Sequence, residues 1–79
     1  MRFLSVKYFL RRIYMIEVKL ELCNERNDLR YKLNNLRHAL AFNDDISQAQ
    51  RSLLMVQESI MESYIDVLNI RINDLQSGD

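Results

Sequence analysis

The sequence predicts an all-α protein: a two-helix antiparallel hairpin, similar to a coiled coil, with an N-terminal helical extension, assembling as a helical-bundle oligomer. Three observations lead to this prediction. The 79-residue chain contains no Pro and one Gly, at position 78, so no strong helix breaker interrupts it. Apolar residues recur every three or four positions on both sides of one polar cluster. Strand-like alternation of polar and apolar residues is absent over any useful length.

The first helix carries a heptad row of leucines, which places their side chains on one face. The row consists of Leu22, Leu29, Leu33, Leu36 and Leu40. A polar cluster follows, and we predict a turn at about residues 42–45. Asp45 and Gln48 have the spacing of a capping box, and Asp44 and Ser47 are alternative helix caps.

The second helix is predicted over residues 46–76 and carries two apolar stripes. One stripe consists of Leu54, Met61, Ile65, Leu68, Ile72 and Leu75, and the other of Leu53, Ile60, Tyr64 and Val67. One partner helix cannot cover so broad an arc, and small soluble proteins avoid large exposed apolar patches. We therefore expect self-association, with an oligomer seam that includes Leu54, Ile60, Met61, Tyr64 and Leu68.

The length of the second helix sets how much of the first it can cover. A helix of about 31 residues spans about 46 Å, and the same number of residues counted back from Ala41 reaches Arg11. Residues 1–10 should therefore project, either as a continuation of the helix or as a separate short one. We divide the chain into a basic extension (1–14), the hairpin (15–76) and a tail (77–79). Met1 and Met15 are both possible starts.

The formal net charge is zero, but its distribution is uneven. Residues 1–16 carry a net +4 and residues 17–79 a net −4. Such a basic arm can contact an acidic partner, a membrane surface or an acidic neighbour in another subunit; we do not expect membrane contact. The longest apolar runs are four residues, far below the ~20 of a membrane span. We expect a cytoplasmic protein, with which the single Cys agrees.

Catalytic and metal chemistry find little support, and we expect no enzyme activity, no metal and no cofactor. Cys23 and His38 are fifteen residues apart on one helix, so they cannot meet as nucleophile and base. The acidic ladders Glu17–Glu21–Glu25 and Glu58–Glu62–Asp66 lack the Glu-x-x-His motifs of di-metal bundles. We interpret them as solvated acidic faces.

Arginines are the better candidates for ligand binding, because a guanidinium can hold a phosphate bidentately. We select Arg11, Arg12, Arg26 and Arg30 as candidate ligand-binding residues, with Arg37 nearby. Tyr8, Tyr14 or Tyr31 could stack on a base. The alternative is ordinary surface charge paired with Glu21 and Glu25. Neither helix is basic enough to favour duplex nucleic acid.

Residues 17–76 resemble small helical-hairpin accessory proteins of tailed phages and prophages, among them crAss-phage-related proteins of unknown function. The resemblance is sharpest over Gln57-x-x-Ile60-Met61-x-x-Tyr64-x-x-x-Leu68-x-x-Arg71-Ile72. It implies an accessory protein acting in the cytoplasm of an infected bacterium.

A shorter resemblance concerns phage anti-defence sponges, oligomeric hairpins that sequester cyclic nucleotides of bacterial immune signalling between their subunits. Their Leu-Gln-x-x-x-Met pattern is similar to Val56-Gln57-x-x-x-Met61. Two functions are therefore open. The first is a non-enzymatic, self-associating protein that binds a host factor. The alternative is a sponge for a cyclic nucleotide.

Overall fold

The computed structural model describes residues 2–77, and it describes side chains over residues 6–76. Helix α1 spans Arg2–Phe42 and helix α2 spans Gln48–Ser77, with no strand in this range. The two helices pack against each other. The prediction of an all-α hairpin is therefore confirmed. Of the predicted tail, Ser77 ends α2, and residues 78–79 lie outside the described part of the chain.

The connection between the helices covers residues 43–47, slightly later than the predicted turn. The Asn43 side-chain oxygen accepts a hydrogen bond from the Asp45 backbone N–H at 3.0 Å. This local bond holds residues 43–45 in a turn. The hydroxyl of Ser47 accepts a hydrogen bond from the Gln50 backbone N–H at 3.1 Å, so Ser47 caps α2.

The predicted capping box of Asp45 and Gln48 is therefore wrong, and so is the predicted helix start at residue 46. Gln48 is the first residue of α2 rather than its third, so its side chain has no capping position to fill. The Asn43 turn keeps Asp45 two residues ahead of the cap. The alternative cap, Ser47, is the one that the structure uses.

A side chain from α2 caps the carboxyl end of α1 with hydrogen bonds. The Arg51 guanidinium donates to the backbone oxygens of Leu40 at 2.6 Å and Asn43 at 2.9 Å. The last carbonyls of a helix have no partner within it, so these bonds satisfy groups that would otherwise face only water. Arg51 thereby joins α2 to the end of α1.

The two helices contact each other through the predicted leucine row of α1 and the first apolar stripe of α2. The most buried side chains of the described part are Leu22, Leu33, Ile65, Leu68 and Ile72, each 7% exposed or less. Leu68 is the most enclosed, at 1%. The remaining members of the two rows are half-buried. The prediction that these rows face each other is confirmed, and the core is a single narrow layer.

The hairpin is strongly elongated, with extents of 66 × 15 × 14 Å. Its radius of gyration is 18.8 Å, where a compact domain of this length has about 12 Å. α1 is longer than α2 by 11 residues, 41 against 30. The N-terminal stretch continues α1 and does not form a separate helix. Every side chain from residue 6 to residue 14 is exposed, and Met15 is the first half-buried one.

Candidate functional site

The candidate site lies on one side of α1, where three arginines face the edge of α2. Arg26 and Arg30 are one helical turn apart and share this side, and Arg37 lies two turns further on. The three guanidinium groups have different partners. Those partners decide which of the arginines retains charge for a ligand.

Arg37 is engaged by two carboxylates of α2. Its Nε lies 3.3 Å from the Glu58 carboxylate and its Nη2 lies 3.1 Å from that of Glu62. Two acids against one guanidinium leave no positive charge to offer an incoming anion. Arg37 therefore links α1 to α2 at the end of the site nearest the turn. Its ion pairs lie at the surface and are of modest strength.

Arg26 and Arg30 keep their charge. Arg26 is half-buried and donates only to neutral groups, the side-chain oxygens of Asn69 at 3.1 Å and Asn27 at 3.4 Å. In the part of the chain that the structure describes, Arg30 forms no ion pair or hydrogen bond. Two unneutralised guanidiniums one turn apart form the arrangement that binds a phosphate or carboxylate with several charge-assisted hydrogen bonds.

An open groove of about 300 Å³ is lined by Arg30, whereas Arg26 only borders it through its hydrogen bond to the lining residue Asn69. Its floor is apolar and its rim is polar. The lining residues are Arg30, Leu33, Asn34, Arg37, Glu62, Ile65, Asp66 and Asn69. The volume is at the small end of ligand sites. The groove combines two cationic, two anionic and two amide side chains, so a ligand here would need hydrogen-bond donors as well as anionic groups.

The other two candidate residues, Arg11 and Arg12, lie elsewhere. Both are exposed on the projecting part of α1. Fourteen residues separate Arg12 from Arg26, which is about 21 Å along the helix. One chain therefore brings Arg26 and Arg30 together and keeps Arg11 and Arg12 apart from them.

The five residues named for an oligomer seam fall into two sets. Leu68 is buried, and Leu54 and Met61 are half-buried, on the side of α2 that packs against α1. Ile60 and Tyr64 are exposed, at 63% and 45%. The second stripe of α2 thus remains open in the single chain, with Leu53 and Val67 also exposed.

Tyr64 contributes a polar contact that its place in an apolar stripe did not indicate. Its hydroxyl donates a short hydrogen bond to the Glu25 carboxylate across the two helices. This bond, and then the charge of Glu25, raise the pKa of Tyr64, which a smaller contribution from Arg71 lowers. Glu25, expected to be a solvated member of an acidic ladder, is instead a helix–helix contact.

Sequence reasoning also missed the amide side chains of Asn34 and Asn69, which line the groove. A usable signal exists for each of them. Asn34 lies four residues after Arg30, and Asn69 directly follows the buried Leu68. Polar residues at the border of an apolar stripe mark the rim of the helix–helix contact. The sequence alone does not pair a border residue of α1 with one of α2.

The other side chains that could react or bind a metal, Cys23 and His38, do not lie close to each other. Cys23 is half-buried and packs against the core of Leu22, Leu68 and Ile72. The His38 ring lies against the Phe42 ring, with centroids 4.7 Å apart. No group of three His, Cys, Asp or Glu side chains suited to a metal ion occurs among the described residues. Neither helix, over the residues described, is long and apolar enough to cross a membrane.

Comparison with known proteins gives one family and no individual relative. Searches of the curated proteins and of the solved structures found no significant match. The model of the Sequestin family matches residues 17–74, which are 58 of the 79 residues. The matched segment contains nearly all of the hairpin, with Arg26, Arg30 and the groove, and excludes the projecting start of α1. The chain belongs to the Sequestin family.

Proposed function

We propose that this protein is a sponge: it binds a small anionic signal, a cyclic nucleotide of bacterial immune signalling, and holds it without transforming it. The observation that carries the proposal is the Arg26–Arg30 pair within the segment that matches the family: neither guanidinium is paired with a carboxylate, Arg30 lines the groove, and Arg26 is bonded to the lining residue Asn69. The name of the family points to sequestration. The similarity of Val56-Gln57-x-x-x-Met61 to the sponge pattern points the same way.

The proposed contacts follow the chemistry of the groove. Arg26 and Arg30 hold a phosphate, because planar guanidinium donors match phosphate oxygens in pairs. The Asn34 amide can donate to or accept from a base or ribose. Asn69 is already bonded to Arg26, which fixes the orientation of that guanidinium before a ligand arrives.

The groove of a single chain is open to solvent, and a ligand in it would keep much of its surface in water. Tight sequestration needs enclosure. We therefore place the complete site between subunits of a homo-oligomer, where another copy covers the groove. Arg11 and Arg12 reach such a site only from a neighbouring subunit, because 21 Å or so of helix separates them from Arg26 within one chain. The proposed setting is the cytoplasm of a phage-infected bacterium.

A second candidate function has its own observation. Leu53, Ile60 and Val67 form an apolar row on α2 that is 54–63% exposed. A host protein that laid an apolar helix on this row would make the chain an interaction factor, which is our first hypothesis from the sequence. This function predicts that the Arg26–Arg30 pair is dispensable. The two functions can therefore be separated by mutation.

The test is native mass spectrometry of the full chain, as purified and after addition of cyclic di-AMP, cyclic di-GMP or cyclic GMP–AMP, followed by calorimetric titration. We expect saturable binding of at least one of these probes and its recovery unchanged on denaturation. Arg26→Ala and Arg30→Ala should each weaken binding at least tenfold, because each truncation removes charge-assisted bonds to phosphate. Lys32→Ala is the matched control. This substitution also removes one positive charge from α1, but Lys32 pairs with Asp28 and does not line the groove.

Three results would count against the sponge. Binding that falls equally in the Lys32→Ala variant would reveal general charge attraction. Conversion of the probe to a product would reveal an enzyme. A ligand-free oligomer that ignores every probe, and captures one host protein through the Leu53–Val67 row, would support the interaction factor instead.

A further inference from the structure

The N-terminal half of α1 presents an apolar row that stays exposed among the side chains that the structure describes. Its members follow one another at steps of three, four, three and four residues and are 37–64% exposed. We call this row the outer seam: Val6, Phe9, Ile13, Ile16 and Leu20. Steps of three and four define the a and d positions of a heptad, the pattern that a partner helix covers in a coiled coil.

The outer seam faces away from α2. At about 100° per residue, its centre lies roughly 170° around α1 from the leucine row that packs on α2. α2 is also too short to reach the first members, since the side chains from residue 6 to residue 14 are all exposed. Neither the existing hairpin contact nor a small shift of α2 can bury this row. Its cover must come from another molecule.

We propose that a second copy of this chain covers the outer seam, and that the two α1 helices form a parallel, in-register coiled coil over residues 6–20. The seam assigns Val6, Ile13 and Leu20 to position a and Phe9 and Ile16 to position d. These residues suit a coiled-coil seam without fixing the number of strands, because position d carries Phe9 and Ile16 rather than Leu. This inference does not depend on the ligand of the groove.

The charges beside the seam select the parallel direction. In this register Arg12 occupies position g and Glu17 occupies position e of the following heptad. A parallel pair places g of one helix beside e of the other, so Arg12 meets Glu17 of the partner subunit twice, once on each side. An antiparallel pair would place g beside g and bring Arg12 towards Lys19, with like charges opposed.

The same charges disfavour a membrane as the cover. A helix that lies in the membrane interface places its basic side chains beside its apolar face, where they reach anionic head groups. Here Arg12 and Lys19 border the seam on one side, but the acidic Glu17 borders it on the other, and Arg11 lies on the opposite side of the helix. The basic extension therefore fits a coiled-coil partner better than a lipid surface.

Disulfide mapping in the full chain tests both the contact and its direction. In a Cys23→Ala background, Val6→Cys and Ile16→Cys should each form covalent dimers under mild oxidation, because a parallel in-register pair brings identical seam positions together. Tyr8→Cys is the control, since Tyr8 is exposed but lies outside the seam. We expect at least fivefold less cross-linking there. Equal cross-linking of all three, or cross-linking only between Val6→Cys and Leu20→Cys chains in a mixture, would overturn the proposal.

Charge exchange provides a second, independent measurement by sedimentation velocity. Glu17→Lys should weaken the dimer at least fivefold, and Arg12→Glu combined with Glu17→Lys should restore it, since the swapped pair is again complementary. Ile13→Asp should give a monomer with unchanged helix content, and Tyr31→Asp should not. A multimer indifferent to Ile13→Asp would refute the seam. So would a monomeric protein that binds phosphatidylserine vesicles through residues 6–20.

Discussion

The Tyr64 hydroxyl and the Glu25 carboxylate join α2 to α1 through a hydrogen bond between residues 39 positions apart in the chain. The contact lies at the edge of the core, beside the layer formed by Leu22, Leu68 and Ile72. It fixes the rotation of an aromatic ring whose apolar face is part of the exposed stripe of α2. In the sequence Tyr64 belongs to an apolar stripe, but in the structure its hydroxyl group fixes its position.

The first prediction follows from the raised pKa of Tyr64. The hydrogen bond to Glu25 and the charge of Glu25 favour the neutral phenol, so the pKa lies above the ordinary value of 10.0. The bond's contribution to stability is complete below that ordinary value and is lost as pH rises through the raised one. The tyrosinate absorbance difference between the native chain and Tyr64→Phe should report a midpoint above pH 10.

Glu25→Gln should return this midpoint towards 10, because the amide carries no charge. Glu21→Gln serves as the control and should leave it in place, since Glu21 lies one turn away on the same acidic ladder. An unchanged midpoint in Glu25→Gln would show that the two side chains are not bonded in solution.

The second prediction separates the two possible caps of α2. Ser47→Ala should reduce the free energy of unfolding by about 1 kcal/mol, because the backbone N–H of Gln50 loses its acceptor. Asp45→Ala should change it by less than about half that amount, since the Asp45 side chain caps nothing and is exposed. Urea denaturation followed by circular dichroism measures both. The reverse order of losses would restore the capping box that the sequence suggested.

The third prediction concerns Arg51, which donates to two backbone oxygens at the end of α1. Arg51→Ala should cost about 2 kcal/mol, within the range for hydrogen bonds to a charged group. For a domain of this size, that corresponds to a fall in Tm of roughly 10 °C. Arg51→Lys should recover only part of the loss, because an ammonium lacks the planar fork that reaches both oxygens. A full recovery would mean that charge near the helix end, rather than the two bonds, stabilises the turn.

The hairpin itself could be predicted from the sequence because its signals are periodic and redundant. Each leucine of the row supports the same helix face as the next, so one misleading residue does not change the result. The turn was harder to place. Asp44, Asp45 and Ser47 are all acceptable caps, and the sequence does not show which of them bonds to a free N–H of α2, as Ser47 does to that of Gln50.

The candidate site shows where sequence reasoning reaches its limit. Arg26 and Arg30 could be selected because their spacing alone places them on one side of a helix. That Arg37 is neutralised by Glu58 and Glu62 could not be predicted, since the pairing depends on how α2 is rotated and shifted against α1. The Arg26–Asn69 contact depends on the same two variables. In an oligomer, the position of a neighbouring copy also matters. The sequence of one chain limits that position only through its apolar seams and its charges.

The final prediction uses the two apolar faces of α2, which differ in what covers them. Leu68 is 1% exposed and packs against α1, whereas Leu53 is 62% exposed. Leu68→Ala should cost about 2–5 kcal/mol, because it removes buried methyl groups and leaves a cavity. Leu68→Asp should unfold the hairpin, since the new carboxylate would have no partner in the core. Thermal unfolding measures the loss of stability in each variant, and sedimentation shows whether the assembly is lost with it.

Leu53→Ala tests the other face of α2, the one that α1 does not cover. In a chain whose second stripe has no partner, the substitution should change stability by less than about 0.5 kcal/mol. If another subunit or a host protein covers this stripe, Leu53→Ala should lower the stability of that assembly and make the loss depend on protein concentration. Leu68→Ala should lower stability at every concentration, because its packing partners lie in the same chain. The concentration dependence therefore decides whether the outer face of α2 is a contact surface, independently of the seam on α1.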